Sequence, residues 1–186
     1  MQTITVGPGG SYKTIQSAVN AAPAGSIILV SSGTYSENVI LTKAVTVNAA
    51  ATVDGFTVRN SSQSNSGIII SASGATVANN KVSGCGWGIF LESGTGSTVK
   101  GNNVDGASNA GITIRSSSKN TLTGNKVTSS GKGLNIEGSS TGNVIYLNDF
   151  NNGYSSGGSN TFYSPVTRYT YHGNLMTNYL GNHWGD

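Results

Sequence analysis

The sequence predicts an all-β chain wound into a parallel β-helix, with a short helix over its N-terminal end, and three observations carry that expectation. Apolar residues recur in columns that advance together, the first of them, Val53, Val77, Val99, Leu122 and Val144, by 22 to 24 residues. Each recurrence holds only short alternating runs, such as GIII at 67–70, GIFL at 88–91, GITI at 111–114 and GLNI at 133–136, which suit strands of three or four residues. Gly, Ser and Asn account for 27, 27 and 21 of the 186 residues, a composition that suits tight turns between such strands and disfavours a helical bundle.

A repeat of this length is one structural unit that cannot form a core alone. Two further columns, Val58, Val82, Val104, Val127, Phe150 and Val47, Ile70, Leu91, Ile114, Ile136, advance with the first. Stacking pairs each strand with its equivalent one coil away and fuses the columns into a continuous interior. Alternation then directs Ile68 and Ile70, Ile89 and Leu91, Ile112 and Ile114, and Leu134 and Ile136 inward, and Ile69, Phe90, Thr113 and Asn135 outward. Asn80, Asn102, Asn125 and Asn148 recur beside the second column, where side-chain amides can donate to one coil and accept from the next. They are expected to form a structural ladder.

The whole chain, 1–186, reads as one β-helix domain in three parts. Residues 1–25 hold a strand and a capping helix, in which Tyr12, Ile15, Ala18, Val19 and Ala22 fall at helical spacing and Ser11 is a candidate N-cap. That helix is expected to cover an open parallel edge. Residues 26–150 supply the coils. Residues 151–186 shift to an aromatic-rich composition, and Tyr163, Tyr169, Tyr171, Tyr179 and Trp184 are expected to close the far end of the core.

Charge narrows the function classes. Ten Lys and Arg against seven Asp and Glu give a net charge of +3, but the basic residues form no stripe, so nucleic acid is not an expected partner. No apolar run reaches membrane-spanning length, and the lone Cys85 precludes an internal disulfide.

The opening TITVGPGGSYKTIQSAVNAAPAGSIILVSSGTYSENVILTKAVTV, followed by ATVDGFTV and NNKVSGCGWGIFLES, resembles the NosD-like and carbohydrate-binding or sugar-hydrolase repeat families. The ending TYHGNLMTNYLGNHWGD is similar to endings of exported or cell-surface proteins of methanogenic archaea. The resemblance implies a right-handed, single-stranded, pectate-lyase-like solenoid at the cell surface or outside the cell, with its leader absent from this chain. GTYSENV is also similar to the start of pectin-modifying β-helices, whose lyases bind Ca²⁺ through acidic groups and whose esterases use two aspartates and an arginine. Here Asp54, Asp105, Asp149 and Asp186 are scattered, so no catalytic residue is carried over. The NosD resemblance also brings copper into view, yet His172, His183 and Cys85 show no HxH, HExxH or CxxC spacing, and neither a metal nor another cofactor is expected.

Two constellations remain. Glu92, Arg115 and Glu137 occupy equivalent outward positions on successive coils and read as a ladder of alternating charge. Beside them Trp87 and Phe90 form a candidate apolar platform for a sugar ring, with Asn135, Glu92, Arg115 and Glu137 orienting its hydroxyls. An ice-binding face is not expected, because the outward series Ile69, Phe90, Thr113, Asn135 is irregular. The expected function is an exported or cell-surface structural or interaction β-helix that binds carbohydrate without catalysis. Its partners would be a polysaccharide or cell-envelope glycan and neighbouring surface-protein domains. The alternative is a polysaccharide-active lyase or hydrolase.

Overall fold

The computed structural model describes residues 2–23, 26–31, 40–41, 46–49, 52–59, 66–71 and 73–185. Among these the chain winds as a right-handed solenoid, each regular coil giving one strand to each of three parallel sheets. Sheet one contains Ser66–Ile70, Trp87–Glu92, Ala110–Arg115, Leu134–Glu137 and Tyr154–Ser156. Sheet two contains Thr52–Asp54, Thr76–Ala78, Thr98–Lys100, Thr121–Thr123 and Val144–Tyr146. Sheet three contains Ile40–Leu41, Thr57–Arg59, Lys81–Ser83, Asn103–Asp105, Lys126–Thr128, Asp149–Phe150 and His183–Trp184. A smaller parallel sheet of Thr3–Val6, Ile27–Val30 and Thr46–Ala49 precedes them. Most of the stretch between 31 and 46, read above as part of the first coil, lies outside the described residues.

The columns stack in register. Ile70, Leu91, Ile114 and Ile136 pair coil to coil, as do Val58, Val82, Val104, Val127 and Phe150. Their side chains are buried, and burying one such residue contributes about 1.5–3 kcal/mol. The first column corrects the sequence reading at its last member. Leu122 pairs with Ile145, while Val144 pairs with Thr121 on the outer side. Both residues are apolar, so the pattern alone does not choose between them. The corner amide does, since the Asn120 N–H donates to Asn143 Oδ1 at 2.9 Å and fixes a spacing of 23.

Two asparagine ladders close the corners. Asn80, Asn102, Asn125 and Asn148 are buried, each Nδ2 donating to the next Oδ1 at 2.8 Å, and the ladder ends on Asn182 at 2.9 Å. A second ladder, not anticipated from the sequence, runs through Asn120, Asn143 and Asn160. Its trace in the sequence is an Asn five positions before Asn125 and again before Asn148.

The helix α1 spans Ile15–Ala21 and buries Ile15, Ala18 and Val19 against the N-terminal end. Its N-cap is Thr14, which accepts from the Ser17 N–H at 3.2 Å, and not Ser11, whose own N–H is held by Thr5 Oγ1. At the other end Trp184 stacks on Phe150 at 5.1 Å, with Tyr154 and Phe162 against it. Of the aromatics expected there, Trp184 packs on the core, whereas Tyr163 and Tyr179 are more than half exposed and pair only with each other. Tyr169 lies in an outlying hairpin, and the Tyr171 side chain lies outside the described set.

That hairpin is an insertion. The two ladder positions of a coil are five residues apart in Asn120 and Asn125 and in Asn143 and Asn148, but twenty-two apart in Asn160 and Asn182. Residues 164–180 fill the difference. Buried Ser164 pins their base, its N–H donating to the Leu180 carbonyl at 2.8 Å and its Oγ accepting from the Leu180 N–H at 2.9 Å. Beyond it, Thr167–Tyr171 and Asn174–Asn178 form a two-stranded antiparallel arm that pairs with no other strand among the described residues.

Candidate functional site

The outer face of sheet one carries the site. Gly88 faces inward, where a Cβ would run into the Val104 side chain and the Gly111 carbonyl, and this turns Trp87 to the outside. Phe90, Thr113 and Asn135 then follow one another on the outer ladder, with Glu92, Arg115 and Glu137 two positions further along each strand.

Arg115 is the centre of the arrangement. Its Nη2 donates to Glu92 Oε1 at 2.5 Å and its Nη1 lies 3.9 Å from Glu137 Oε1. Its guanidinium also sits over the Phe90 ring, 4.7 Å from the centroid. Trp87 meets the same ring edge-on at 6.1 Å. Phe90 is therefore only 5% exposed, which corrects its reading as an open platform: the apolar surface offered to solvent is that of Trp87. All three ionised side chains are partly exposed, so the pairs hold geometry more than they stabilise the fold.

Turns from two coils raise a wall beside this face. Trp87, Ser108, Asn109, Ala110, Gly131 and Lys132 join Arg115, Asn135 and Glu137 around an open groove of about 590 Å³. The structure thus brings Trp87, Arg115, Asn135 and Glu137 to one groove, keeps Glu92 behind Arg115, and buries Phe90 beneath it. Asn109 and Lys132 are lining residues that the sequence reading missed. They lie in turns of variable composition, and only stacking places them next to sheet one.

Thr113 adds a distinctive feature. It is fully buried within the outer ladder, and its Oγ1 has no hydrogen-bond partner. Among the described residues it is the buried side-chain oxygen or nitrogen left unsatisfied, and such a group costs about 1–3 kcal/mol.

Metal donors do not converge. Among the described residues no three of His, Cys, Asp and Glu could share an ion. Cys85 is buried, and His183 Nδ1 is engaged with Asp149 Oδ1 at 2.8 Å. His172 lies in the turn of the arm, where its backbone has φ 48°. This donor set does not fit the copper that the NosD resemblance implies.

Solved structures similar to this chain include the following three. The periplasmic alginate epimerase AlgG shares 16% identity at a TM-score of 0.47, covering 74% of this chain and 43% of that one. An alginate lyase from Paenibacillus sp. shares 13% identity at a TM-score of 0.37, covering 82% and 66%. The pectin methylesterase from Aspergillus niger shares 16% identity at a TM-score of 0.31, covering 83% and 67%. The chain spans less than half of the first of these proteins and about two-thirds of the second. No curated protein matches the chain in sequence. The family model described as periplasmic copper-binding protein NosD matches residues 3–186, and with this length of the solenoid accounted for, the chain belongs to the NosD family.

Proposed function

We propose that this chain is a polysaccharide-associated β-solenoid working outside the cytoplasm, and that a glycan lies in the groove on the outer face of sheet one. The observation that carries the proposal is the combination lining that groove: an aromatic face from Trp87, amides from Asn109 and Asn135, and charges from Arg115, Lys132 and Glu137. An aromatic ring stacks on the apolar face of a sugar, while amides and charges fix its hydroxyls or carboxylates, so one wall provides contact area and the other direction. The binding reading needs nothing further from the chain.

A second reading, a polysaccharide lyase or hydrolase, is favoured by Glu92 and Glu137. They stand on strands two coils apart with both carboxylates turned to the guanidinium between them, a pair of acidic groups on one face as glycoside hydrolysis requires. Both are tied to Arg115, so turnover would require a substrate group to draw that guanidinium away.

A glycan array with the intact chain, followed by turnover assays on each hit, tests both readings. Binding that is lost in Trp87→Ala, with the thermal transition unchanged, supports the groove. Shortened or unsaturated product that disappears in Glu137→Gln selects the enzyme. Binding that survives Trp87→Ala places the glycan elsewhere and removes the proposal.

A further inference from the structure

We infer that the arm formed by residues 164–180 is a self-association device, through which a second copy of this chain adds its own arm edge to edge. A free two-stranded ribbon is marginally stable in water, and among the described residues this one has no third strand. Its second strand, Asn174–Asn178, is exposed at every position, with Leu175 at 65%. That strand reads NLMTN. It has no charge and no proline, the devices by which edge strands usually avoid pairing. The first strand, Thr167–Tyr171, differs: it carries Arg168 and follows Pro165 two positions upstream. The open edge that invites pairing is therefore the second strand's.

The hydrogen-bond phase of the arm suits a twofold axis. His172 and Gly173 form a two-residue turn with both φ values positive, which makes Tyr171 and Asn174 a mutually bonded pair. Alternation makes Tyr169 and Met176 the next bonded pair and turns the N–H and C=O of Leu175 and Thr177 toward the open edge. Antiparallel pairing of two second strands about an axis through Met176 sets Leu175 against Thr177 of the second copy. Each such couple exchanges both main-chain hydrogen bonds, and the contact is closed and self-complementary. Arg168 of each copy then lies on the far strand of a four-stranded sheet, so like charges are kept apart. Four residues separate Met176 from Leu180 at the base, about 13 Å at the rise of a strand, so the two solenoids stand on opposite sides of the joint sheet.

Sedimentation velocity across a dilution series is the first measurement, with a doubled mass at high concentration and the single-chain mass on dilution expected. Thr177→Pro removes an edge N–H without touching the bonds inside the arm, so it should leave the chain single at concentrations where the parent is double, with circular dichroism unchanged. Met176→Cys places two thiols face to face on the axis and should yield a covalent dimer on oxidation, whereas Thr170→Cys, on the first strand, should not. This second variant guards against a proline that simply unfolds the arm. A chain of single mass at every concentration, cross-linking no faster through position 176 than through 170, overturns the inference. So does a dimer that survives excision of residues 164–180.

Discussion

The coils and the arm are both built from short strands, yet they are held by different means. In an interior coil every strand has a neighbour on each side, its inward residues lie in a continuous column, and its corner amide is bonded to the coils above and below. In the arm, among the described residues, each strand has one neighbour, the second strand is exposed throughout, and the base is closed by bonds between the arm's own Ser164 and Leu180, with Tyr179 against Tyr163. Stability in this molecule is therefore a property of repetition, and a residue matters to the extent that it is repeated one coil away.

The sharpest way to break that comparison is to truncate matched apolar residues. Ile112 is fully buried between Ile89 and Leu134, so Ile112→Ala should cost about 2–5 kcal/mol in urea unfolding. Leu175→Ala in the arm should cost less than about 0.5 kcal/mol. Equal losses would mean that the arm is packed in solution in the single chain. A matched pair of asparagines comes next. Asn102 Oδ1 accepts from the N–H and the Nδ2 of Asn80, and its own Nδ2 donates to the Val77 carbonyl and Asn125 Oδ1. Asn102→Ala strands several buried partners at once and should cost about 3 kcal/mol, against an undetectable change for Asn178→Ala.

These contrasts also explain what was legible in the sequence. The solenoid was visible because each inward residue is selected by the same environment every 21 to 24 positions, and the ladder Asn80, Asn102, Asn125, Asn148 because burial of an amide demands the same partner each time. Where two residues satisfied one environment, the pattern failed, as with Val144 and Ile145, which only the corner hydrogen bond distinguishes. The arm was invisible as a hairpin because it occurs once, and Tyr179, which looked like part of a lid, is more than half exposed. At the groove, Arg115, Asn135 and Glu137 followed from outward periodicity, whereas Trp87, two positions before the inward Ile89, is turned out by the inward Gly88, and Asn109 and Lys132 reach the site only through the stacking of neighbouring coils. The burial of Phe90 escaped for a related reason: strand alternation gives the side of the sheet a residue faces, and whether Arg115 then lies over it is a matter of side-chain conformation.

Two gains of stability sharpen the picture inside the coils. Thr113→Val removes a buried hydroxyl that has no partner while keeping the side-chain shape, so it should raise stability by about 1 kcal/mol. Should the same substitution weaken glycan binding, the unsatisfied hydroxyl is retained for a ligand. Leu147→Gly should gain less, about 0.5 kcal/mol. The residues before Asn80, Asn102, Asn125 and Asn148 have positive φ, 53° at Asn79, 62° at Gly101, 63° at Gly124 and 56° at Leu147, and leucine alone in that series has no local hydrogen bonding or missing Cβ to ease it. Denaturation midpoints at constant slope measure both changes, and a loss at Leu147→Gly would show that the flexibility glycine adds to the unfolded chain outweighs the strain it relieves.

The smallest effect is expected from the largest alteration, removal of residues 164–180. The corners of two regular coils read TVKGN at 98–102 and TLTGN at 121–125, and excision joins Thr161, Phe162 and Tyr163 to Gly181 and Asn182 as TFYGN. The joined segment keeps a hydroxyl residue at the outer start of the strand, an apolar residue at the inward position and glycine before the ladder asparagine. Phe162 already packs on the core, and Asn182 already receives the end of the ladder from Asn148. The loss of Ser164 from the core is matched by the loss of the arm that it fastens. Measured on dilute, single chains, the unfolding free energy should change by no more than about 0.5 kcal/mol, the usual scale for changes that touch no packed feature. A larger loss would mean that the arm supports the last coil, and the division between repeated and unrepeated structure would then lie inside the coil itself.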